Sequence, residues 1–499
     1  MSIDIQKLNI KSAKHSLENK EFSCVDLIKE IFKRIRKHDG DVHAFLELTE
    51  NEAIKQAEEV DSKISRGEKL GALEGIPIAI KDVICTKGIK TTAASKILEQ
   101  YIPPYDATVV KKLKDAGAII VGKTNCDEFA HGASTENSAY GPSHNPWDLE
   151  RSPGGSSGGS AAALSAGFCL ASLGTDTGGS TRQPGGWCNL YGLRPTYGRI
   201  SRYGLISMTS STDTPGIFAK TAEDMSLLLE ILAGQDDNDA TTLPSAVDEY
   251  QSKLDLPLKG MKIGKPKEFF DPPASLREAL RAGDTSDDES SAIIDNAISK
   301  LEELGAEIVD VSLPHTKYGV SVYYIITPSE VSSNLGRFDG IRYGHRSPEA
   351  NSLFEVYTKT RGQNFGPEAK RRIMLGTYAL SSGYYDAYYK KAQKVRTVIT
   401  DEVEKVLNEV DLIVTPVSPH VAIKLGEKSD DPLAMYLEDV YMETSVMAGL
   451  PAISVPAGFA HDMPVGLQIM GRQLDEARIL SAAHQYEKAT NWTDEYPEL

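Results

Sequence analysis

Apolar and polar positions follow two different periods along this chain. Residues 23–37, SCVDLIKEIFKRIRK, place Val25, Ile28, Ile31, Phe32 and Ile35 on one helical face, with Ser23 in capping position. Residues 50–66, rich in Glu, Ala and Lys, predict a second helix. From residue 77 onward short apolar runs take over. PIAIKDVI (77–84) and AIIVGKT (118–124) read as buried strands, and DATVVKKLKDAG (106–117) between them reads as a helix stopped by glycine. The alternation continues through MKIGKPK, AEIVDVSL, DLIVTPV, PAISVPAG and VGLQIMG as strands, with helices at 290–304, about 384–409 and 474–489. This order predicts an α/β architecture built on one sheet.

Composition narrows the function. The chain has 499 residues, 40% hydrophobic and 25% charged, with a formal net charge of −17. So acidic a chain is not built to lie along a nucleic-acid backbone by itself; if its process involves nucleic acid, a partner holds it. Cys24, Cys85, Cys126, Cys169 and Cys188 contain no Cys-x-x-Cys pair, which favours free buried thiols over a disulfide framework or a zinc site. The start MSIDIQKLNIKSAKHSL lacks the apolar core of a signal peptide, and no apolar run reaches the ~18 residues of a membrane span. A cytoplasmic protein without membrane contact is expected. FDPPASLREALRAGDTSDDESS (270–291) reads as an exposed excursion with a short helix.

Three motif matches compete for the chemistry. GAIIVGKT (117–124) fits the spacing of a phosphate-binding loop, but its four middle residues are strand formers, so a strand end with Lys123 at the surface is expected. GGSSG (154–158) fits a nucleophile elbow, yet the preceding SHNPWDLERSP is irregular where that elbow needs a strand. His420, His461 and His484 downstream sit in ordinary loop or helix text. The third match is dispersed: GGSSGGS (154–160), GTDTGGS (174–180), then RQP, with no histidine in residues 152–186. A serine nucleophile there needs another base. Lys81 ends a buried strand, where desolvation lowers lysine basicity and makes it a candidate, although a salt bridge to the adjacent Asp82 is an alternative reading.

The paired glycine–serine clusters resemble the amidase signature family over about residues 65–490, with a signature core at about 71–220. The resemblance implies one large α/β domain, a mixed central sheet covered by helices on both faces, with residues 1–64 as a helical region packed on it. It implies Ser180 as nucleophile, Ser156 as the serine relaying its proton to Lys81, and a cis peptide before Ser156. The amides of Thr177, Gly178, Gly179 and Ser180 would hold the oxyanion. Asp176 would orient the loop, and Ser157 and Ser160 would be loop hydrogen-bond formers. No metal is implied.

DEFAHGASTENSAYGPSHNPWD, RPTYGRISRYGLI, SSNLGRFDGIRYG and SSGYYDAYYKKAQKVR resemble, within that family, the A subunits of tRNA-dependent amidotransferases. That likeness implies a glutaminase without a cofactor of its own. Ammonia would pass to a B subunit that binds the Glu-tRNA(Gln) or Asp-tRNA(Asn) and uses ATP and Mg²⁺, and a C subunit would clamp the two. Free glutamine is a zwitterion; Arg372 would take its carboxylate, Asp439 its ammonium, and Tyr323 would line the pocket. The rival readings are a stand-alone amidase acting on small amides and a scaffold subunit without catalysis. The chain departs from the family's usual text at GGWCN (185–189), at Pro215 and at His131.

Overall fold

The computed structural model describes residues 3–271 and 288–499. Eleven strands form one sheet: β1 (Phe45–Leu48), β2 (Pro77–Lys81), β3 (Ile119–Thr124), β4 (Ala171–Asp176), β5 (Tyr191–Arg194), β6 (Thr214–Ala219), β7 (Lys262–Pro266), β8 (Glu307–Val311), β9 (Leu412–Pro416), β10 (Ala452–Ala460) and β11 (Met463–Met470). Their spatial order is β1-β3-β2-β4-β6-β5-β10-β11-β9-β7-β8. The sheet is mixed: β2 runs parallel to both β3 and β4, while β4–β6, β5–β6 and β10–β11 are antiparallel. Strands β2, β3 and β4 are buried along their whole length, which is why they read as continuous apolar or small-residue runs rather than alternating ones.

The helices follow their sequence signals closely. Helix Cys24–Val42 starts at a capping box in which Ser23 accepts from the Asp26 amide and Asp26 from the Ser23 amide. Ile28, Ile31, Phe32 and Ile35 are buried in the same cluster as Ile78 and Ile120, and Val25 packs at its margin. The expected helices near 50–66, 106–117, 290–304 and 474–489 appear as Glu50–Ser65, Thr108–Asp115, Asp288–Glu303 and Glu476–Lys488. The helix expected from about 384 begins only at Tyr389, because Gly383 turns the chain at φ +87° and residues 384–388 follow it as turn. Most of the excursion at 270–291, with its expected short helix, lies outside the described residues.

Four strands carry no clear sequence signal: β1, β4, β5 and β6. Each is short or interrupted by glycine or proline. Strand β6 shows how such a strand survives in mid-sheet. Pro215 pairs only with Thr175 of β4 and lies beyond the register of β5, which reaches no further than Ile217. Gly216 is required by close approach, since a Cβ there would collide with Thr181 Oγ1. Gly216→Ala is expected to lower stability by about 1–3 kcal/mol through overpacking, read as a lowered thermal midpoint.

Lys123 corrects the sequence reading. It is fully buried, not at the surface, because β1 covers β3 on its outer side. Its ammonium donates to Ile84 O and Thr91 Oγ1, each at 2.7 Å, and stands 3.5 Å from Asp82. Asp82 is thereby engaged by Lys123, leaving Lys81 to other partners. All five cysteines are free and buried. Among the described residues no helix is long and apolar enough to cross a membrane, and no group of three His, Cys, Asp or Glu is placed to hold a metal ion.

Candidate functional site

Parallel neighbours end on the same edge of a sheet, and this brings the candidate chemistry together. Lys81 closes β2, and Thr175 lies near the end of the adjacent β4. The irregular segment before helix Gly158–Ser165 crosses the same edge. Lys81 Nζ donates to Ser156 Oγ at 2.7 Å, Ser157 Oγ at 2.8 Å and Thr175 Oγ1 at 2.9 Å. Burial lowers its pKa to about 8, partly opposed by Asp127, Asp176 and Asp213.

The hydroxyls around Lys81 are not equivalent. Ser157 Oγ donates to Thr175 O at 3.1 Å and accepts from the Thr175 amide at 3.2 Å. Its proton is therefore committed to a carbonyl, whereas the Ser156 hydroxyl donates to no carbonyl among the described residues. The Gly155–Ser156 peptide is cis. Ser180 is drawn in through the backbone: the Ser157 amide donates to Ser180 O at 3.2 Å. Ser157, expected as a loop hydrogen-bond former, and Thr175, which carries no sequence signal of its own, both touch Lys81 directly. The missing signal was β4 itself, whose ASLGTD text does not look like a strand.

The loop from Thr177 to Ser180 is held by one carboxylate. Asp176 accepts from the amides of Gly179 at 3.1 Å and Thr181 at 3.2 Å. It also accepts from Arg182 at 2.9 and 3.0 Å and from Arg194 at 3.1 Å. Burial alone would raise its pKa, but the two guanidinium groups outweigh that and hold it well below the usual carboxylate range. The Gly179 amide is thus shared with Asp176, whereas among the described residues no partner competes for those of Thr177, Gly178 and Ser180. Gly179 has φ +121°, and a Cβ there would lie 2.5 Å from Met442 Cγ. Thr177 Oγ1 donates to Asp213 at 2.7 Å and fixes the other end of the turn.

The three proposed pocket residues come from separate segments, and of them only Arg372 lines a 170 Å³ cavity. Tyr323 is on helix Gly319–Asn334, Arg372 on helix Pro367–Leu380, and Asp439 ends the short turn Leu437–Asp439. All three are buried. The Tyr323 hydroxyl covers Gly178 so closely that a Cβ on Gly178 would lie 2.6 Å from it. Arg372 Nε donates to Glu368 Oε1 at 2.8 Å, and its guanidinium lies 5.0 Å from the Tyr324 ring and 5.5 Å from the Tyr436 ring. Those rings stack on each other at 3.8 Å, and Tyr436 donates to the same Glu368 oxygen at 2.9 Å. Arg371 pairs with the other oxygen of Glu368, but its side chain is 41% exposed against 2% for Arg372. Burial raises the pKa of Asp439 well above the usual range, and the group that opposes this most is Arg372. Glu368, Tyr324 and Tyr436 were not legible beforehand, because their roles depend on packing between separate helices.

The departures from family text can now be placed. Gly185 and Gly186 lie against the sheet, where added Cβ atoms would meet Ser454 Oγ at 2.6 Å and Val417 Cγ1 at 2.9 Å. Trp187 fills the space beside them, donates to Ser418 Oγ at 2.9 Å and stacks on His420. None of the three lines the 170 Å³ cavity in front of Arg372. His131 is fully buried beside Phe129, and neither ring nitrogen has a partner among the described residues. Burial, with the Arg372 charge adding to it, lowers its pKa well below the usual value.

Residues 26–480 match the family described as Amidase. The chain is similar to the A subunit of glutamyl-tRNA(Gln) amidotransferase from Koribacter versatilis, at 51% identity over 98% of this chain and 99% of the relative. It is equally similar to the protein of the same name from Carboxydothermus hydrogenoformans, at 51% identity over 100% of both chains. The crystal structure of the corresponding glutamyl-tRNA(Gln) amidotransferase chain from Thermotoga maritima superposes with a TM-score of 0.81 at 41% identity, covering 100% of this chain and 99% of that one.

Proposed function

This chain belongs to the amidase family, and on that premise we propose that it is the glutamine-hydrolysing A subunit of a tRNA-dependent amidotransferase. The observation that carries the choice of substrate is that a guanidinium, Arg372, and a carboxyl group, Asp439, are both buried on separate segments, with Asp439 O accepting from the amide of Met442, the residue packed on Gly179 of the serine loop. A free amino acid needs a cation for its carboxylate and an anion for its ammonium; a simple amide needs neither. The full-length likeness to subunits of that name supports the same reading.

In the proposed reaction neutral Lys81 takes the proton of Ser156, which takes that of Ser180, and Ser180 Oγ attacks the side-chain amide carbon of glutamine. The oxyanion rests on the amides of Thr177, Gly178 and Ser180, with Gly179 shared. The proton returns through Ser156 to the leaving nitrogen, ammonia departs, and water hydrolyses the γ-glutamyl ester by the same relay. Ammonia then passes to a B subunit that carries the aminoacyl-tRNA and uses ATP and Mg²⁺, with a C subunit joining the two. This chain needs no cofactor for its own half of the reaction.

Kinetics on two substrates test the assignment. Glutamine is expected to be hydrolysed far better than butyramide, which lacks both α-charges, and faster still once B- and C-type subunits are co-purified. Arg372→Ala is expected to raise KM for glutamine by roughly 10- to 100-fold and to leave butyramide unaffected. Equal rates on the two substrates, or an unchanged KM, would favour a stand-alone amidase.

A further inference from the structure

A second and larger cavity, about 520 Å³, has none of Lys81, Ser156, Ser180, Tyr323, Arg372 or Asp439 in its wall. It shares no lining residue with the cavity in front of Arg372. Phe338, in the wall of the larger cavity, lies 5.1 Å from Phe129, whose ring centroid is 6.4 Å from that of His131. Nearly half of the cavity wall comes from one continuous segment, GRFDGIRYGH (336–345), a motif the hydrolytic site does not use.

The wall has a definite chemistry. Tyr101, Tyr105 and Phe338 supply ring surface, and Arg337, Arg342 and His345 supply donors. Among the described residues no aspartate or glutamate lines it, although the chain as a whole carries a net charge of −17. Among the same residues neither Arg337 nor Arg342 forms a side-chain ion pair or hydrogen bond, and the ionisable groups nearest Arg337 are Tyr343, Tyr105 and Cys85. Unpaired guanidinium groups beside aromatic rings match a planar ligand bearing a carboxylate or phosphate, through charge-assisted forks and ring stacking. The volume falls within the range of small-molecule sites.

We propose that this cavity is a second ligand site, binding a small molecule in which a carboxylate or phosphate is joined to an aromatic ring. Cys85, four positions beyond Lys81 in the sequence, is among its lining residues, and none of the proposed glutamine-pocket residues is. The full chain should be titrated with benzoate and phenyl phosphate by saturation-transfer NMR and calorimetry. Inorganic phosphate and benzyl alcohol serve as the anion without the ring and the ring without the anion. At least one ring anion is expected to bind, and both half-probes at least about tenfold more weakly. Arg337→Gln and Arg342→Gln are each expected to weaken that binding by about fivefold or more while glutamine hydrolysis is unchanged. Arg342 is exposed and its side chain holds no polar partner among the described residues, so its variant remains folded and informative even if the Arg337 variant does not. Failure of both ring anions to bind at up to about 10 mM, equal affinity for benzyl alcohol, or full binding by the Arg342 variant would overturn the proposal.

Discussion

Replacing Ser180 with alanine is expected to reduce glutamine hydrolysis by roughly 10⁴- to 10⁶-fold while leaving the fold intact. The side chain is small, lies at the mouth of the loop with 7% exposure, and is fixed by its backbone rather than by its hydroxyl. Removing the oxygen therefore deletes the proposed nucleophile and little else. In an assembled complex supplied with ammonium salt in place of glutamine, amidation of the aminoacyl-tRNA is expected to continue, because the proposed reaction assigns that step to the partner. Glutamine hydrolysis at near wild-type rate in the variant would exclude Ser180 as nucleophile.

Lys81→Ala is expected to cost about 10²- to 10⁴-fold in kcat/KM, the usual range for a positioned base. The sign of its pH dependence follows from its environment. Lys81 must be neutral to accept a proton, and burial brings its pKa down to about 8. In the unaltered chain kcat/KM should rise with pH and level off above about 8, and the residual activity of Lys81→Ala should lose that limb. A profile that is flat from about pH 6 to 9, or one that keeps the limb in the variant, would assign the base elsewhere. The variant also leaves Ser156 and Thr175 without their common donor, so its thermal midpoint should be measured alongside the rate.

The serines and the lysine were legible because each lies in a local text that few structures tolerate: glycine–serine clusters inside a globular chain, and a lysine closing an apolar strand. The strands that bring them together were less so. Strand β4 carries Gly174 and Asp176 among its six residues, and β6 carries Pro215 and Gly216; local propensity argues against both. They are strands because neighbours on both sides complete them, which is tertiary information. Lys123 was misplaced for a related reason. Its exposure depended on whether another strand covered β3, and FLEL (45–48) gives little hint that it does. Of the adjacent pair in KRR, Arg372 faces inward and Arg371 outward, but the aromatic and carboxylate box around Arg372 draws on two other segments that local text does not connect.

The strand order also constrains how a growing chain can complete itself. The hairpin β10–β11, among the last elements made, lies in the middle of the sheet, with β5 on one side and β9 on the other. Until residue 470 has left the ribosome, the strands already synthesised form two separate pieces, β1 to β6 and β7 to β9, each with an open hydrogen-bonding edge. Such edges invite pairing with other chains. A chain that stops before β10 therefore leaves two exposed partial sheets and not a slightly smaller enzyme.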